Sequence, residues 1–281
     1  MCIRDSVEAW SGCTITWYDL RSPAEKQALR RLSSERYQAL VSELGGSDSA
    51  LVLTTGPSID SVDLEALGRE HEVRVACNSI VGNPEMLAAL KPNVFAFGDA
   101  AFHFGPSRYA AKFRSDFRSF LETQDPWVIT PVDMYPLLER EFPEELLARV
   151  VPVEYRRTLP DGYEGAVPLH VSHGNVMTSL MLPTASFLAD RISMAGCDGR
   201  SPDDHGFWSH SKAAQYDDLY RTVVDSHPSF FDDANYVAYY ERHCGVLDGE
   251  VSRLLEQGKQ LQMKTPSYIP ALSMLPGGSP Q

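Results

Sequence analysis

Between residues 50 and 264, short apolar segments rich in β-branched residues alternate with longer segments of helical periodicity. We predict strands at ALVLTT (50–55), VRVACN (73–78), VFAFGD (94–99), WVITPV (127–132), RVVPVEY (149–155), RISMAGCD (191–198) and KQLQMK (259–264). Helices are predicted at 61–69, 84–90, 107–122, 135–147, 175–189, 212–225 and 233–257. Strands that alternate with helices form βαβ units, which build a mostly parallel sheet. We therefore expect an α/β chain whose Rossmann-like, mostly parallel sheet carries helices on both faces.

The segments that flank this alternation complete the predicted organisation. Residues 22–46 have apolar side chains at helical spacing and end at Gly45-Gly46, so residues 1–48 should form a mostly helical N-terminal extension. The first six residues, Met-Cys-Ile-Arg-Asp-Ser, resemble the translation of a sequencing-library adapter and are excluded as artefactual. Residues 49–268 are the expected catalytic domain, and the Pro/Gly-rich residues 269–281 are the expected flexible tail.

Charge and composition exclude several classes of protein. A formal net charge of −13 argues against nucleic acid as a partner, because binding a phosphate backbone needs a basic surface. No apolar run approaches the ~20 residues of a membrane span, and no secretory leader is seen, so we expect a cytoplasmic protein. Peripheral membrane association and a homo-oligomer are left open. The scattered cysteines are interpreted as reduced thiols, with no metal site, at Cys2, Cys13, Cys77, Cys197 and Cys244.

Small or polar residues follow four of the predicted strands. They are Thr55-Gly56-Pro57-Ser58, Asn78, Gly98-Asp99 and Gly196-Cys197-Asp198-Gly199-Arg200. The carboxyl ends of parallel strands meet at one edge of a sheet, and α/β proteins bind ligands there, where the strand order reverses. Each group alone is better explained by turn chemistry. The four together favour a ligand site.

The turn after the first predicted strand is the first candidate for binding an anion. Gly56 lets the backbone approach a ligand closely, and Pro57 fixes the turn. Ser58 or Asp60 can cap the next helix, whose N-terminus favours anions. The alternative is an ordinary βα turn. The missing Gly-Lys-Ser/Thr argues against a nucleoside triphosphatase loop.

A second candidate is the segment 170–189. Ser172, His173, Gly174 and Asn175 precede a helix of small and apolar residues, so an anion could bind at its N-terminus. The alternative is a capped core helix. Pro183 lies inside that helix and is expected to kink or split it.

The third candidate is the polar segment 197–216. Loops of this length without their own secondary structure are uncommon unless they are functional, and we expect residues 199–212 to close over a bound nucleotide. His210 precedes a predicted helix. It is suited to accept a proton near neutral pH, although composition alone favours a capping or solvated histidine.

Six short motifs occur in an order and spacing that resemble a known family. They are GPSID (56–60), CN (77–78), GNVMTS (174–179), AGCD (195–198), SHSK (209–212) and GKQLQMKTPS (258–267). The set resembles bacterial sialyltransferases of glycosyltransferase family 42. It equally resembles the related domain of flagellin nonulosonic-acid transferases and of archaeal hydroxymethylpterin diphosphokinase. The resemblance covers roughly residues 49–268 and implies a nucleotide-sugar-binding domain, a sialyltransferase-like variant of the GT-A fold.

The resemblance implies specific residue roles. The residues expected to bind the cytidine nucleotide are Thr55, Gly56, Pro57, Ser58, Asn78, Asp99, Ser172, Gly174, Asn175 and Asp198. Asp99 stands where the sialyltransferases have an asparagine. His210 matches their proposed general base. The family's tyrosine pair near the donor phosphate is missing here. Gly199-Arg200 follows the GCD segment, and no tyrosine occurs between that segment and Tyr216. Arg200 is expected to neutralise the departing phosphate instead.

The predicted function is therefore glycosyl transfer. An acidic sugar (sialic acid, another nonulosonic acid or Kdo) would pass from a CMP-activated donor to a hydroxyl of a surface glycan or protein, with no obligatory cofactor. One alternative is a Mg²⁺-dependent pyrophosphokinase, whose metal would need carboxylates such as Asp99, Asp198, Asp203 or Asp204. Another is a nucleotide-binding module without catalysis.

Overall fold

The computed structural model describes residues 17–158, 165–201, 209–225 and 235–280. Several predictions fall outside this range. The adapter-like residues 1–6, Cys2 and Cys13, the carboxylates of Asp203 and Asp204, and residues 202–208 of the expected lid all lie there.

Seven parallel strands form the main sheet of the described chain, as predicted. In chain order the strands are β1 Ser47–Leu53, β2 Val73–Cys77, β3 Val94–Ala96, β4 Trp127–Pro131, β5 Val150–Val153, β6 Tyr155–Arg156, β7 His170–Val171, β8 Ala189–Ala195 and β9 Gln260–Met263. The order across the sheet is β5-β4-β3-β2-β1-β8-β9, while β6 and β7 pair separately. The chain moves outward from β1 to β5 and then returns to the other side of β1 at β8. The switch in strand order, where α/β folds bind ligands, therefore lies between β1 and β8.

The helices of the described ranges follow the predicted pattern, with differences at their ends and two short helices, at 100–104 and 270–273, that were not predicted. They are α1 Pro23–Leu44, α2 Leu64–Glu70, α3 Pro84–Leu90, α4 Ala100–Phe104, α5 Arg108–Gln124, α6 Tyr135–Glu141, α7 Leu182–Leu188, α8 Asp217–Val224, α9 Tyr236–Glu256 and α10 Pro270–Ser273. The helix predicted at 135–147 is broken after α6, since Pro143 cannot continue it, and residues 144–147 form a 3₁₀ turn. A π-helical segment, Met177–Met181, precedes α7 and changes to α-helix next to Pro183, where we expected a break.

Alternating residues of each strand bury themselves on opposite faces of the sheet. Leu51 and Leu53 pack with the side chains of α2 to α6 on one face, and Phe95 does the same. Ala50 and Val52 face the other way, toward α1, α7 and α9. Since strands buried on both faces are nearly continuous in apolar residues, this arrangement explains the runs seen in the sequence. The predicted Rossmann-like α/β fold with helices on both faces is confirmed.

The two ends of the described chain join the same core. A capping box at Ser22 and Glu25 begins α1, which buries Tyr37 against the sheet. At the other end Leu272 and Leu275 are buried, and the Met263 N–H donates to the Pro276 carbonyl at 2.8 Å. Residues 269–280, which we expected to be a flexible tail, therefore pack against the core. Apolar side chains within a Pro/Gly-rich sequence dock this segment against β9.

Three observations bear on the class of protein. Over the described ranges, no helix has both the length and the apolar character that spanning a bilayer takes. Cys77, Cys197 and Cys244 are free thiols. In the same ranges, no three His, Cys, Asp or Glu side chains are grouped to hold a metal ion.

Candidate functional site

A cavity of about 400 Å³ lies at the carboxyl ends of β1, β2, β3 and β8. Its size suits a small ligand, and its position is the predicted switch point. The predicted site residues on its wall are Thr55, Gly56, Asn78, Asp99, Ser172, Gly174, Asn175, Asp198 and His210. Pro57, Ser58 and Arg200 are not on the wall. The fold thus gathers residues from positions 55 to 210 around one space.

The turn after β1 is hydrogen-bonded to the loop after β8. The Gly56 N–H donates to the Gly196 carbonyl at 2.9 Å. Ser58 donates twice to Asp198, from its N–H at 3.0 Å and from its hydroxyl at 2.7 Å. Because Pro57 has no N–H, this turn offers few backbone donors to an anion. Gly56 is needed for a different reason from the predicted one, since a Cβ there would overlap the Gly196 carbonyl and the Asp198 carboxylate.

The same turn also holds the segment that carries His210. The Ser211 N–H donates to the Thr55 carbonyl at 2.7 Å, and the Ser211 hydroxyl donates to Asp60. We had expected Ser58 or Asp60 to cap the next helix, but neither of them does. Asp63 does so, accepting from the Ala66 N–H at 2.9 Å. The turn therefore acts as a brace between the β8 loop and the histidine.

His210 is fixed at the cavity wall by its own hydrogen bond. Its Nδ1 lies 2.7 Å from the Thr55 hydroxyl oxygen. Loss of solvation lowers the pKa of His210 to about 4, against a smaller opposite effect of Asp217, so the imidazole is neutral at pH 7. The alternative role, helix capping, belongs to Ser211, whose hydroxyl accepts from the Ala213 N–H. The arrangement leaves Nε2 of His210 as the nitrogen for chemistry.

The turn at Gly174 has three consecutive donors that are free within the described chain, whereas the N–H groups of Gly56 and Ser58 in the first turn are taken. Gly174 adopts a left-handed conformation, with φ of 73°. The Asn175 side chain caps the helix that follows by accepting from the Met177 N–H at 2.9 Å. The N–H groups of Gly174, Asn175 and Val176 have no hydrogen-bond partner among the described residues, and all three residues line the cavity. A helix N-terminus with open N–H groups is a natural place for an anion.

Asn78 is held in an unusual backbone conformation at the end of β2. Its φ of 53° is left-handed, a region that asparagine tolerates better than most residues. Its side chain lines the cavity and makes no hydrogen bond with the described parts of the chain. Strained, unpaired polar residues of this kind collect at functional sites. Among the predicted site residues, Asn78 thus combines a left-handed backbone with a polar side chain on the cavity wall that is unpaired among the described residues.

The charged groups on the wall are acidic. Asp99 and Asp198 line the cavity, and no lysine or arginine of the described residues does so. Burial raises the pKa of Asp198, partly offset by its bonds from Ser58. Arg200 lies beyond the wall, with its guanidinium 5.6 Å from the ring centre of Tyr240. Its role in neutralising phosphate stays a prediction.

Helix α9 supplies wall residues that the sequence motifs missed. Tyr239 and His243 line the cavity, and the Tyr239 hydroxyl donates to the Gly174 carbonyl. The i, i+3, i+4 and i+7 spacing of Tyr236, Tyr239, Tyr240 and His243 was a usable signal, because it puts these side chains on one helix face. A phenol therefore reaches the cavity from α9, although none follows the GCD segment. Tyr109, Tyr155 and Gln215 also line the cavity, but no pattern in the sequence around them predicts this.

A scan against protein-family models finds no match for this chain, and a search of curated proteins finds none either. The family resemblance of the six motifs therefore stays a prediction.

Proposed function

We propose that this protein is a cytoplasmic glycosyltransferase that moves an acidic sugar from a CMP-activated donor to a hydroxyl acceptor. One observation carries the proposal. A neutral His210, held by Thr55, shares one cavity wall with the open N–H groups at residues 174–176. The first can accept a proton, and the second can hold a phosphate. Five of the six family-like motifs supply residues to the wall of this cavity, which supports the same interpretation.

His210 would be the general base. With Nδ1–H donating to the Thr55 hydroxyl, Nε2 presents a lone pair to the acceptor hydroxyl. The acceptor oxygen bonds to the anomeric carbon as its proton passes to Nε2. The bond from that carbon to the phosphate oxygen breaks, and CMP leaves with the electron pair. A bound anionic donor raises the pKa of the nearby imidazole, which makes it a better base in the complex than in the free protein.

The departing phosphate would sit at the Gly174 turn. Backbone donors at a helix N-terminus stabilise the charge that develops on the leaving oxygen. Burial raises the pKa of Tyr239, so its phenol stays protonated and its one O–H donates to the Gly174 carbonyl, which holds the turn in place. Arg200 follows the wall residue Gly199 in the chain, and its charge would have to act on the phosphate from its place beside the Tyr240 ring.

The test replaces His210 and its partner. His210→Ala should lower turnover ~100-fold or more, the usual cost of losing a positioned base, with little change in CMP affinity. Thr55→Val should also lower turnover, because it removes the acceptor for Nδ1–H of His210. Thr55→Ser keeps a hydroxyl acceptor and should retain turnover. Transfer from CMP-N-acetylneuraminate and CMP-Kdo is measured on an acceptor panel, with CMP titrated calorimetrically. The exposed neighbour Lys212→Ala serves as the control. Near-normal transfer by His210→Ala would remove His210 from the reaction.

The acidic wall favours a second candidate, pyrophosphate transfer from ATP to an alcohol. Mg²⁺ is usually held by one or two carboxylates together with substrate phosphates and water, so Asp99 and Asp198 fit such a role. In that reaction the cation, which the described wall lacks, would arrive with the nucleotide. Melting temperatures with CMP, CDP, ATP and Mg²⁺, and NAD separate the candidates, because a ligand of the native state raises its melting point. A shift with CMP but no transfer would favour a non-catalytic module.

A further inference from the structure

One end of the cavity combines two aromatic rings with a fixed side-chain amide. Tyr109 is buried and meets the ring of Phe102 edge-on, with 5.9 Å between ring centres. The Tyr109 hydroxyl donates to Oε1 of Gln215 at 2.6 Å. Phe102, Tyr109 and Gln215 all line the cavity. None of them entered the sequence predictions as a site residue.

The orientation of the Gln215 amide follows from its partners. Oε1 also accepts from the Tyr216 N–H at 3.2 Å. A backbone N–H can only donate, and burial raises the pKa of Tyr109 so that its phenol keeps its proton. Both neighbours therefore require the carbonyl oxygen on their side. The Nε2 amide is left as the group that Gln215 offers to a ligand.

The backbone around Gln215 is held in place before any ligand binds. The Ser79 hydroxyl donates to the Ala214 carbonyl, and Nδ2 of Asn83 donates to the Ala213 carbonyl at 3.0 Å. Both donors come from the loop after β2, the loop that also carries Asn78. A side chain that is ordered in advance loses little entropy on binding. Gln215 is thus built to make a specific contact.

We propose that this end of the cavity binds the base of the nucleotide, with Nε2 of Gln215 donating to a ring nitrogen or carbonyl oxygen of an aromatic heterocycle. The inference rests on the proposed function, since it assumes that the ligand carries a base. The chemistry of the wall supports a heterocycle over the other parts of such a ligand. At this end the Asp99 carboxylate, which accepts from the Phe102 N–H at 2.9 Å, repels phosphate or a sugar carboxylate, while the aromatic rings favour a flat, apolar face.

The experiment compares ligands with and without a base. Wild-type protein should bind CMP more tightly than ribose 5-phosphate in calorimetric titration. Gln215→Leu should weaken CMP about tenfold, the scale of one hydrogen bond, and leave ribose 5-phosphate unchanged. Gln215→Glu should weaken CMP further, because Oε1 can still accept from its two donors while the second oxygen faces the acceptor of the base. The matched control is Gln38→Leu, an exposed glutamine on α1.

The remaining outcomes show whether the inference alone fails or the proposed function fails with it. Equal losses for CMP and ribose 5-phosphate would assign Gln215 a structural role and overturn the inference, as would Gln215→Glu binding CMP as well as wild type does. If wild type binds a nucleotide better than ribose 5-phosphate and Gln215→Leu does not change this, the inference fails while the proposed function stands. If wild type binds none of CMP, UMP, AMP and GMP, both fail together.

Discussion

The packing of Gly56 against the β8 loop makes a strong prediction for Gly56→Ala. The Gly56 backbone has φ of −64° and ψ of 153°, which alanine adopts without strain, so the cost is steric. The added Cβ overlaps the Gly196 carbonyl, a backbone atom that cannot turn away, and the Asp198 carboxylate. Relief requires the ends of β1 and β8 to separate, which breaks the hydrogen bond from Gly56 to Gly196. Overpacking costs about 2 kcal/mol and the hydrogen bond about 1 kcal/mol, so the free energy of unfolding should fall by about 3 kcal/mol.

Urea denaturation and calorimetry measure this loss. For a chain of this size, about 3 kcal/mol corresponds to a drop of roughly 6–12 °C in melting temperature. Turnover should fall as well, because the turn braces the segment that carries His210. Gly249→Ala is the matched control. That glycine is exposed in α9, a Cβ there meets no atom within 4 Å, and helix propensity predicts a gain of up to about 1 kcal/mol. A Gly56→Ala melting temperature equal to that of wild type would refute the packing argument.

Two further predictions concern acid stability and the Gly174 turn. Burial lowers the pKa of four histidines to about 4, namely His103, His170, His210 and His243. The unfolded chain protonates them near pH 6.5 while the native state does not, so stability should decline as pH falls from about 6.5 to 4, and a flat profile in urea unfolding would contradict this. Tyr239→Phe removes a hydrogen bond to the Gly174 carbonyl and should weaken CMP binding about three- to tenfold by calorimetry, unlike Tyr268→Phe at an exposed position off the wall.

Local sequence patterns were enough to predict the sheet and the edge where the cavity lies. A parallel strand is buried on both faces, so it selects continuous apolar, β-branched residues, and the intervening helices show their own periodicity. Residues that follow such strands must reach the same edge. Asn78 and Asp198 are 120 positions apart in the sequence, yet both line the cavity because each follows a parallel strand of the same sheet.

The order of the strands and the packing of side chains between them were decided by the tertiary structure. The expected flexible tail docks because Leu272 and Leu275 find an apolar surface beside β9. Tyr239 reaches the cavity because α9 crosses the Gly174 turn. Gln215 is oriented by Tyr109, which lies 106 positions away. No window of sequence around these residues contains the surfaces or partners that position them.

The two candidate anion turns show the difference most clearly. Both were predicted from the same local chemistry, a glycine and small polar residues before a helix. In the folded chain the donors of the Gly56 turn are taken by Gly196 and Asp198, whereas those at Gly174 stay open. The local sequence was enough to predict polar groups at the sheet edge for each turn. Which of these groups are left for a ligand depends on the folded chain, because buried N–H groups pair with whatever acceptor the fold brings near, however distant it is along the chain.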